Sequence, residues 1–149
     1  MKQLKRILLV EDNQNDIEMT LEALSEYNLA NEIVVTRDGA EAMDYLYRRN
    51  NFTLRPEGNP AVILLDIKMP KVDGFEVLKQ IKTDTNLKNI PVVLLTSSKE
   101  EKDLIESYRL GTNAYVVKPV GFKEFVEAIK CLGVFWAVLN EPPVGSLRK

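Results

Sequence analysis

The chain reads as an open α/β domain, a parallel sheet covered by helices on each side. Short apolar runs rich in Val, Ile and Leu recur along it without polar alternation, as expected of strands covered on both faces. Segments with helical spacing lie between these runs. Five strand and helix alternations fit into about 140 residues, a spacing that implies right-handed crossovers.

The first strand is Ile7 to Val10, and the helix after it shows Ile17, Leu21 and Leu24 at steps of four and three. Asn13 or Asp12 can cap that helix, with Asp16 and Glu18 favouring its dipole. Ile33 to Val35 is the second strand, and Ala42, Tyr45 and Leu46 mark the helix after Asp38-Gly39. The segment RRNNFTLRPEGNP, Arg48 to Pro60, carries two prolines, one glycine and three asparagines. It predicts a long loop; an interdomain linker fits less well, because no complete domain lies on either side. Ala61 to Leu65 is the third strand, running into Asp66, and Phe75, Leu78 and Ile81 follow Asp73-Gly74 on a third helix. Val92 to Leu95 is the fourth strand, with Leu104, Ile105 and Tyr108 on the helix before Gly111. Ala114 to Val117 is the fifth, and a last helix is predicted from Phe122 to Leu139 through Phe125, Val126, Ile129 and Leu132. No internal repeat or low-complexity tract interrupts the pattern. One domain is therefore expected over residues 1–149, with its core at about 5–139 and a tail at 140–149.

Composition narrows the chemistry. The chain is 45% hydrophobic and 28% charged, which is globular, and its net charge of −2 gives no basic footprint for nucleic acid. The single cysteine, Cys131, excludes an intrachain disulfide and a multi-thiolate zinc site, and suits a reducing cytosol. There is no histidine, so imidazole bases and His-ligated zinc are excluded. The first apolar run is too short for a signal peptide, and no stretch is long enough to span a membrane. A soluble, cytoplasmic protein is expected.

In an open parallel sheet, sites form at the carboxyl ends of the strands. Strand one ends in Glu11-Asp12, strand three in Asp66, strand four in Thr96-Ser97 and strand five in Lys118-Pro119. Each has a bland reading alone. Glu11-Asp12 suits a helix start, Lys118-Pro119 a turn, and Ser97 or Ser98 with Glu100 or Glu101 a capping box. Their coincidence at matching strand ends favours one site. At ~5 Å and an effective dielectric of ~20, each carboxylate pair repels by roughly 3 kcal/mol. Lys118 can offset one charge and a divalent cation the rest; with only oxygen ligands, Mg²⁺ or Mn²⁺ is favoured over zinc. Mg²⁺ commonly adds a phosphate oxygen to one or two carboxylates, so a phosphoryl group is the natural substrate.

The segments ILLVEDN (Ile7 to Asn13), LLDIKMPKVDGFEVL (Leu64 to Leu78), VVLLTSS (Val92 to Ser98) and YVVKP (Tyr115 to Pro119) together resemble the receiver domain of two-component response regulators. The resemblance covers roughly Lys5 to Leu139 and implies a flavodoxin-like, doubly wound (βα)5 fold with strand order 2-1-3-4-5. It implies that Asp66 is the phosphoacceptor and that Asp12, Asp66 and the Lys68 backbone carbonyl surround Mg²⁺. Glu11, standing where the family often has aspartate, would act through a water, its longer arm leaving direct ligation open. Thr96 resembles the switch hydroxyl, Lys118 the lysine that pairs with the acceptor and then with phosphoryl oxygens, and Tyr115 the switch aromatic. Pro119 fits the family's cis peptide. A sensor histidine kinase supplies the phosphohistidine, in keeping with a chain that has none of its own. Lys68, two residues past the acceptor, cannot accept a proton from a hydrolytic water, so a phosphoryl lifetime that is not especially short is expected.

After Lys130 the sequence CLGVFWAVL wraps about 2.5 times around a helix, more than one sheet-facing stripe can bury. Leu132, Phe135, Trp136 and Leu139 cannot all face the sheet; a tail covering them is one outcome, a protein interface the other. The expectation is a homodimer through the fourth helix, fifth strand (with Tyr115) and fifth helix. The insert, the aromatic last helix and the Asn140-Glu-Pro-Pro tail resemble stand-alone regulators associated with cyanobacterial phytochromes. A phosphorylation-controlled module that signals through an unidentified downstream protein is therefore expected, assisting its own phosphotransfer and dephosphorylation but otherwise not an enzyme. The alternatives are a Mg²⁺-dependent aspartyl phosphohydrolase, which typically needs an acid where Lys68 stands, and a pseudo-receiver scaffold, against which Asp12, Asp66, Thr96 and Lys118 argue.

Overall fold

The structure is a computed structural model that describes residues 6–25, 32–69, 73–97 and 114–131. Five strands form one parallel sheet in the order β2-β1-β3-β4-β5, with β1 at Ile7–Val10, β2 at Ile33–Thr36, β3 at Val62–Asp66, β4 at Val92–Thr96 and β5 at Ala114–Val117. The helices are α1 (Gln14–Leu24), α2 (Gly39–Tyr47), α3 (Gly74–Thr83) and a last helix described over Phe122–Cys131. The predicted helix around Leu104, Ile105 and Tyr108 and the predicted extension to Leu139 lie outside the described residues. The doubly wound α/β expectation and its strand order hold.

Strand parity divides the core. Leu8, Val10, Ile63, Leu65 and Leu94 face α2 and α3, where Ala42, Met43, Leu46, Val77, Leu78 and Ile81 bury against them. Ile7, Leu9, Leu64, Val93 and Leu95 face the other way, onto Ile17 and Leu24 of α1 and Phe125, Ala128 and Ile129 of the last helix. The central strands β1, β3 and β4 are buried at every position, which is why they read as continuous apolar runs. Each fully buried Leu or Ile contributes roughly 1.5–3 kcal/mol. The edge strands differ: Ile33, Val34 and Val35 are only half-buried and Tyr115 is exposed, because each edge lacks a neighbour on one side.

Helices α1, α2 and α3 start at the carboxyl edge of the sheet under the same kind of cap. The side chains of Asn13, Asp38 and Asp73 accept from the amides of Asp16, Glu41 and Glu76. Each cap satisfies an amide that the helix itself leaves unpaired. The segment Arg48–Pro60 is a loop, as expected, with a short 3-10 turn at Asn50–Phe52 that its composition did not indicate. Arg55 orders it: Nε donates to the Tyr45 carbonyl at 2.7 Å, Nη1 to Pro56 and Gly58 carbonyls, and the guanidinium lies 4.2 Å over the Tyr45 ring. The cation thereby meets the electronegative end of α2.

Candidate functional site

Parity also builds the site. Glu11 continues the row of Ile7 and Leu9, Asp66 the row of Val62 and Leu64, and Lys118 the row of Ala114 and Val116, all on the sheet face that α1 and the last helix cover. The pairing Val10↔Leu65 brings Glu11 level with Asp66, and the Lys118 amide donates to the Thr96 carbonyl at 2.7 Å. The chain then leaves the sheet, so these side chains end the core at an edge open to solvent on one side.

Glu11 and Asp66 are almost fully buried, at 0% and 2% exposure, and Asp12 reaches solvent beside them. One carboxylate oxygen from each of the three lies within 4.8 Å of the others. Lys118 Nζ stands 3.1 Å from Glu11 Oε1, 3.3 Å from Asp66 Oδ1 and 3.0 Å from Asp16 Oδ2. The Asn13 amide donates to Glu11 Oε2 at 3.2 Å and the Lys68 amide to Asp66 Oδ1 at 3.4 Å. Thr96, the last residue of β4, is buried. The Lys118-Pro119 peptide is cis, as the resemblance implied.

The start of α3 lies against the end of β3. Gly74 donates its amide to the Ile67 carbonyl at 2.8 Å, and a Cβ at Gly74 would lie 2.3 Å from the Asp66 carbonyl oxygen and 2.7 Å from Ile67 Cα. Both neighbours are backbone, so only glycine lets α3 start this close to the acidic strand end.

The electrostatics are those of a site short of positive charge. Burial, and then the charge of Asp66, push Glu11 up from its ordinary range to about 7, against the pull of Lys118 and the Asn13 amide. Burial raises Asp66 as well, with Lys118 opposing it. Burial works to lower Lys118, but the hydrogen bond to Asp16 and the charges of Asp66 and Glu11 outweigh it and hold the ammonium above its usual range. Two buried carboxylates that one lysine does not fully neutralise, with an all-oxygen donor set, fit a hard divalent cation.

The residues expected to converge, Glu11, Asp12, Asp66 and Lys118, do so. Lys68 is exposed at the rim, and Tyr115 on β5 is 36% exposed. Leu132, Phe135, Trp136 and Leu139 lie outside the described residues. The sequence marks Asp16 only as a favourable charge in the first turn of α1, yet it is a direct partner of Lys118. Its spacing from Glu11 and Asp12 leaves that open, because the contact depends on how α1 docks on the sheet.

Comparison with known proteins decides the family, since the family model for the response regulator receiver domain matches residues 7–130. The chain belongs to the response regulator receiver domain family. This receiver domain is 40% identical to the response regulator Rcp1 of Synechocystis sp. over 132 residues, 89% of this chain and 88% of that protein. The solved Mn²⁺-bound form of Rcp1 superposes with a TM-score of 0.72 at 39% identity, covering 93% of this chain and 99% of that one. The bacteriophytochrome response regulator RtBRR gives a TM-score of 0.83 at 64% identity, over 97% of the receiver domain and 87% of its own chain. The phosphorylated cyanobacterial phytochrome response regulator RcpA gives 0.74 at 42%, over 90% and 94%. The receiver domain is thus related to phytochrome-associated response regulators. Among its described residues no helix is long and apolar enough to cross a membrane.

Proposed function

We propose that this receiver domain accepts a phosphoryl group on Asp66 from a sensor histidine kinase, a phytochrome in the reading its relatives favour, and signals by contacts that change with phosphorylation. The observation that carries the proposal is Lys118 Nζ 3.3 Å from Asp66 Oδ1, beside the carboxylates of Glu11 and Asp12. An Asp66 carboxylate oxygen attacks the phosphorus of the kinase's phosphohistidine. The new O–P bond forms as the P–N bond breaks, and the electron pair stays on the imidazole nitrogen. Asp12, Asp66 and the Lys68 carbonyl, with Glu11 acting through a water, would hold Mg²⁺, or Mn²⁺, which supplies charge neutralisation for the phosphoryl oxygens when bound. Lys118 meets the same oxygens from the side of α1, and the Thr96 hydroxyl donates to them once they arrive.

Phosphorylation adds up to about two negative charges beside Thr96. As that hydroxyl turns inward, Tyr115 moves from its exposed position toward the space it leaves, which alters the surface around β5. A homodimer through the predicted fourth helix, β5 and the last helix, with Leu132, Phe135, Trp136 and Leu139 at its centre, is the proposed oligomer, and another protein in the cytoplasm the proposed target. Beyond its own phosphotransfer and dephosphorylation the domain performs no catalysis in this reading.

Incubation with acetyl phosphate and Mg²⁺ tests it. A stable adduct of about 80 Da, absent in Asp66→Asn, is the expected result. Rapid multiple turnover of the donor, or no adduct, would refute the proposal.

A further inference from the structure

The ammonium of Lys118 donates to Glu11, with Oε1 at 3.1 Å, and to Asp16 Oδ2 at 3.0 Å, and it forms an ion pair with Asp66 Oδ1 at 3.3 Å. Glu11 and Asp66 belong to the cluster that fits a cation. Asp16 does not. It projects from the first turn of α1, where its amide is tied to the Asn13 cap at 2.9 Å and the next residue, Ile17, is buried in the core. A packed helix therefore holds this carboxylate beside the ammonium.

We infer that Asp16 is a positioning residue that competes with the phosphoryl group for Lys118 and so slows phosphorylation of Asp66. The inference rests on the phosphoryl-transfer reading above. With acetyl phosphate, an Asp66 oxygen bonds to phosphorus as the donor's acyl O–P bond breaks, and acetate departs with the electron pair. The incoming oxygens need the Lys118 charge during this step. A cation in the cluster would relieve the demand that Glu11 and Asp66 make on Lys118. Asp16, outside the cluster, keeps its claim throughout and adds a negative charge facing an anionic donor.

The test compares Asp16→Asn, Asp16→Glu, Lys118→Met and the Asp16→Asn/Lys118→Met double variant. Initial rates of adduct formation are followed by intact mass over a range of acetyl phosphate concentrations. In the metal-free protein, nitrogen-15 NMR follows the side-chain ammonium of Lys118. Asp16→Asn should be roughly three- to tenfold faster, the size of a coupling between adjacent charged groups. Asp16→Glu should return toward the wild-type rate, and the Asn substitution should have no effect when Lys118 is Met. The Lys118 ammonium signal, protected in the wild type by its hydrogen bonds to Glu11 and Asp16, should broaden in Asp16→Asn through faster exchange with water. A slower or unchanged Asp16→Asn, an acceleration that persists without Lys118, or an unaltered ammonium signal would each overturn the inference. A wild-type chain that takes no adduct removes the phosphoryl-transfer reading and this inference with it. A wild-type adduct without the acceleration removes this inference alone. Asp16 is 28% exposed at its side chain, so the Asn variant is expected to fold; circular dichroism checks it.

Discussion

Replacing Lys118 with methionine keeps most of the side chain's length and removes its charge from the centre of three carboxylates. At 3.0–3.3 Å and an effective dielectric of ~20, each attraction is about 5 kcal/mol before solvation is counted. Desolvation of the buried groups offsets most of that sum, and breaking such a pair typically costs about 3–5 kcal/mol net. The cost must depend on pH, because Glu11 titrates at about 7 in the native protein and carries no charge when protonated. We expect Lys118→Met to lose about 4 kcal/mol at about pH 8 and roughly half of that at about pH 5.5. Urea unfolding followed by circular dichroism, at both pH values and without metal, measures the difference. Adding millimolar Mg²⁺ at the higher pH should restore part of the loss, since the cation replaces the missing positive charge. A loss under about 1 kcal/mol, or one equal at both pH values, would refute the view that Lys118 neutralises this cluster.

Three further outcomes follow from the same geometry. Burial makes ionised Asp66 costly, so Asp66→Asn should stabilise the metal-free protein at neutral pH and do so less in acid, where the native carboxyl is protonated; the same urea assay reads both values. Glu11 has a native value raised from 4.5 to about 7, so the folded chain binds more protons than the unfolded one between these values. Its contribution therefore makes metal-free stability fall as pH rises through that window, by up to roughly 3 kcal/mol, and Mg²⁺ binding should release up to about one proton near pH 6 but almost none near pH 8.5, as calorimetry in buffers of different ionisation enthalpy would show. Gly74→Ala forces a methyl against the backbone of Asp66 and Ile67, so it should cost about 1–3 kcal/mol in a urea melt and, by shifting Asp66, slow adduct formation from acetyl phosphate by about tenfold or more.

Much of the site was legible because strand ends can be read from apolar runs. Five apolar residues leading into Asp66, four of them buried, mark a central strand, and period-two alternation then places Glu11, Asp66 and Lys118 on one face without any coordinates. Absence of histidine and of a second cysteine left oxygen chemistry as the only metal chemistry available. The helix cap at Asn13 was equally local, since its side chain bonds an amide three residues on; Asp38 and Asp73 cap α2 and α3 in the same way, though the sequence marked them only as preceding those helices. The resemblance carried the strand order, which local pattern cannot supply: a run of apolar residues does not state its neighbour.

What tertiary structure alone decided are contacts between groups far apart in the chain whose strength varies over fractions of an ångström. Asp16 meets Lys118 across 102 residues because of where α1 rests on the sheet. Gly74 meets the Asp66 backbone only because α3 starts against the end of β3. Arg55 seats a loop of unpromising composition on the end of α2 by finding carbonyls that composition does not reveal. Period and polarity determine which face a residue occupies, whereas hydrogen bonding and charge pairing depend on distance and desolvation, and those exist only once the elements have packed.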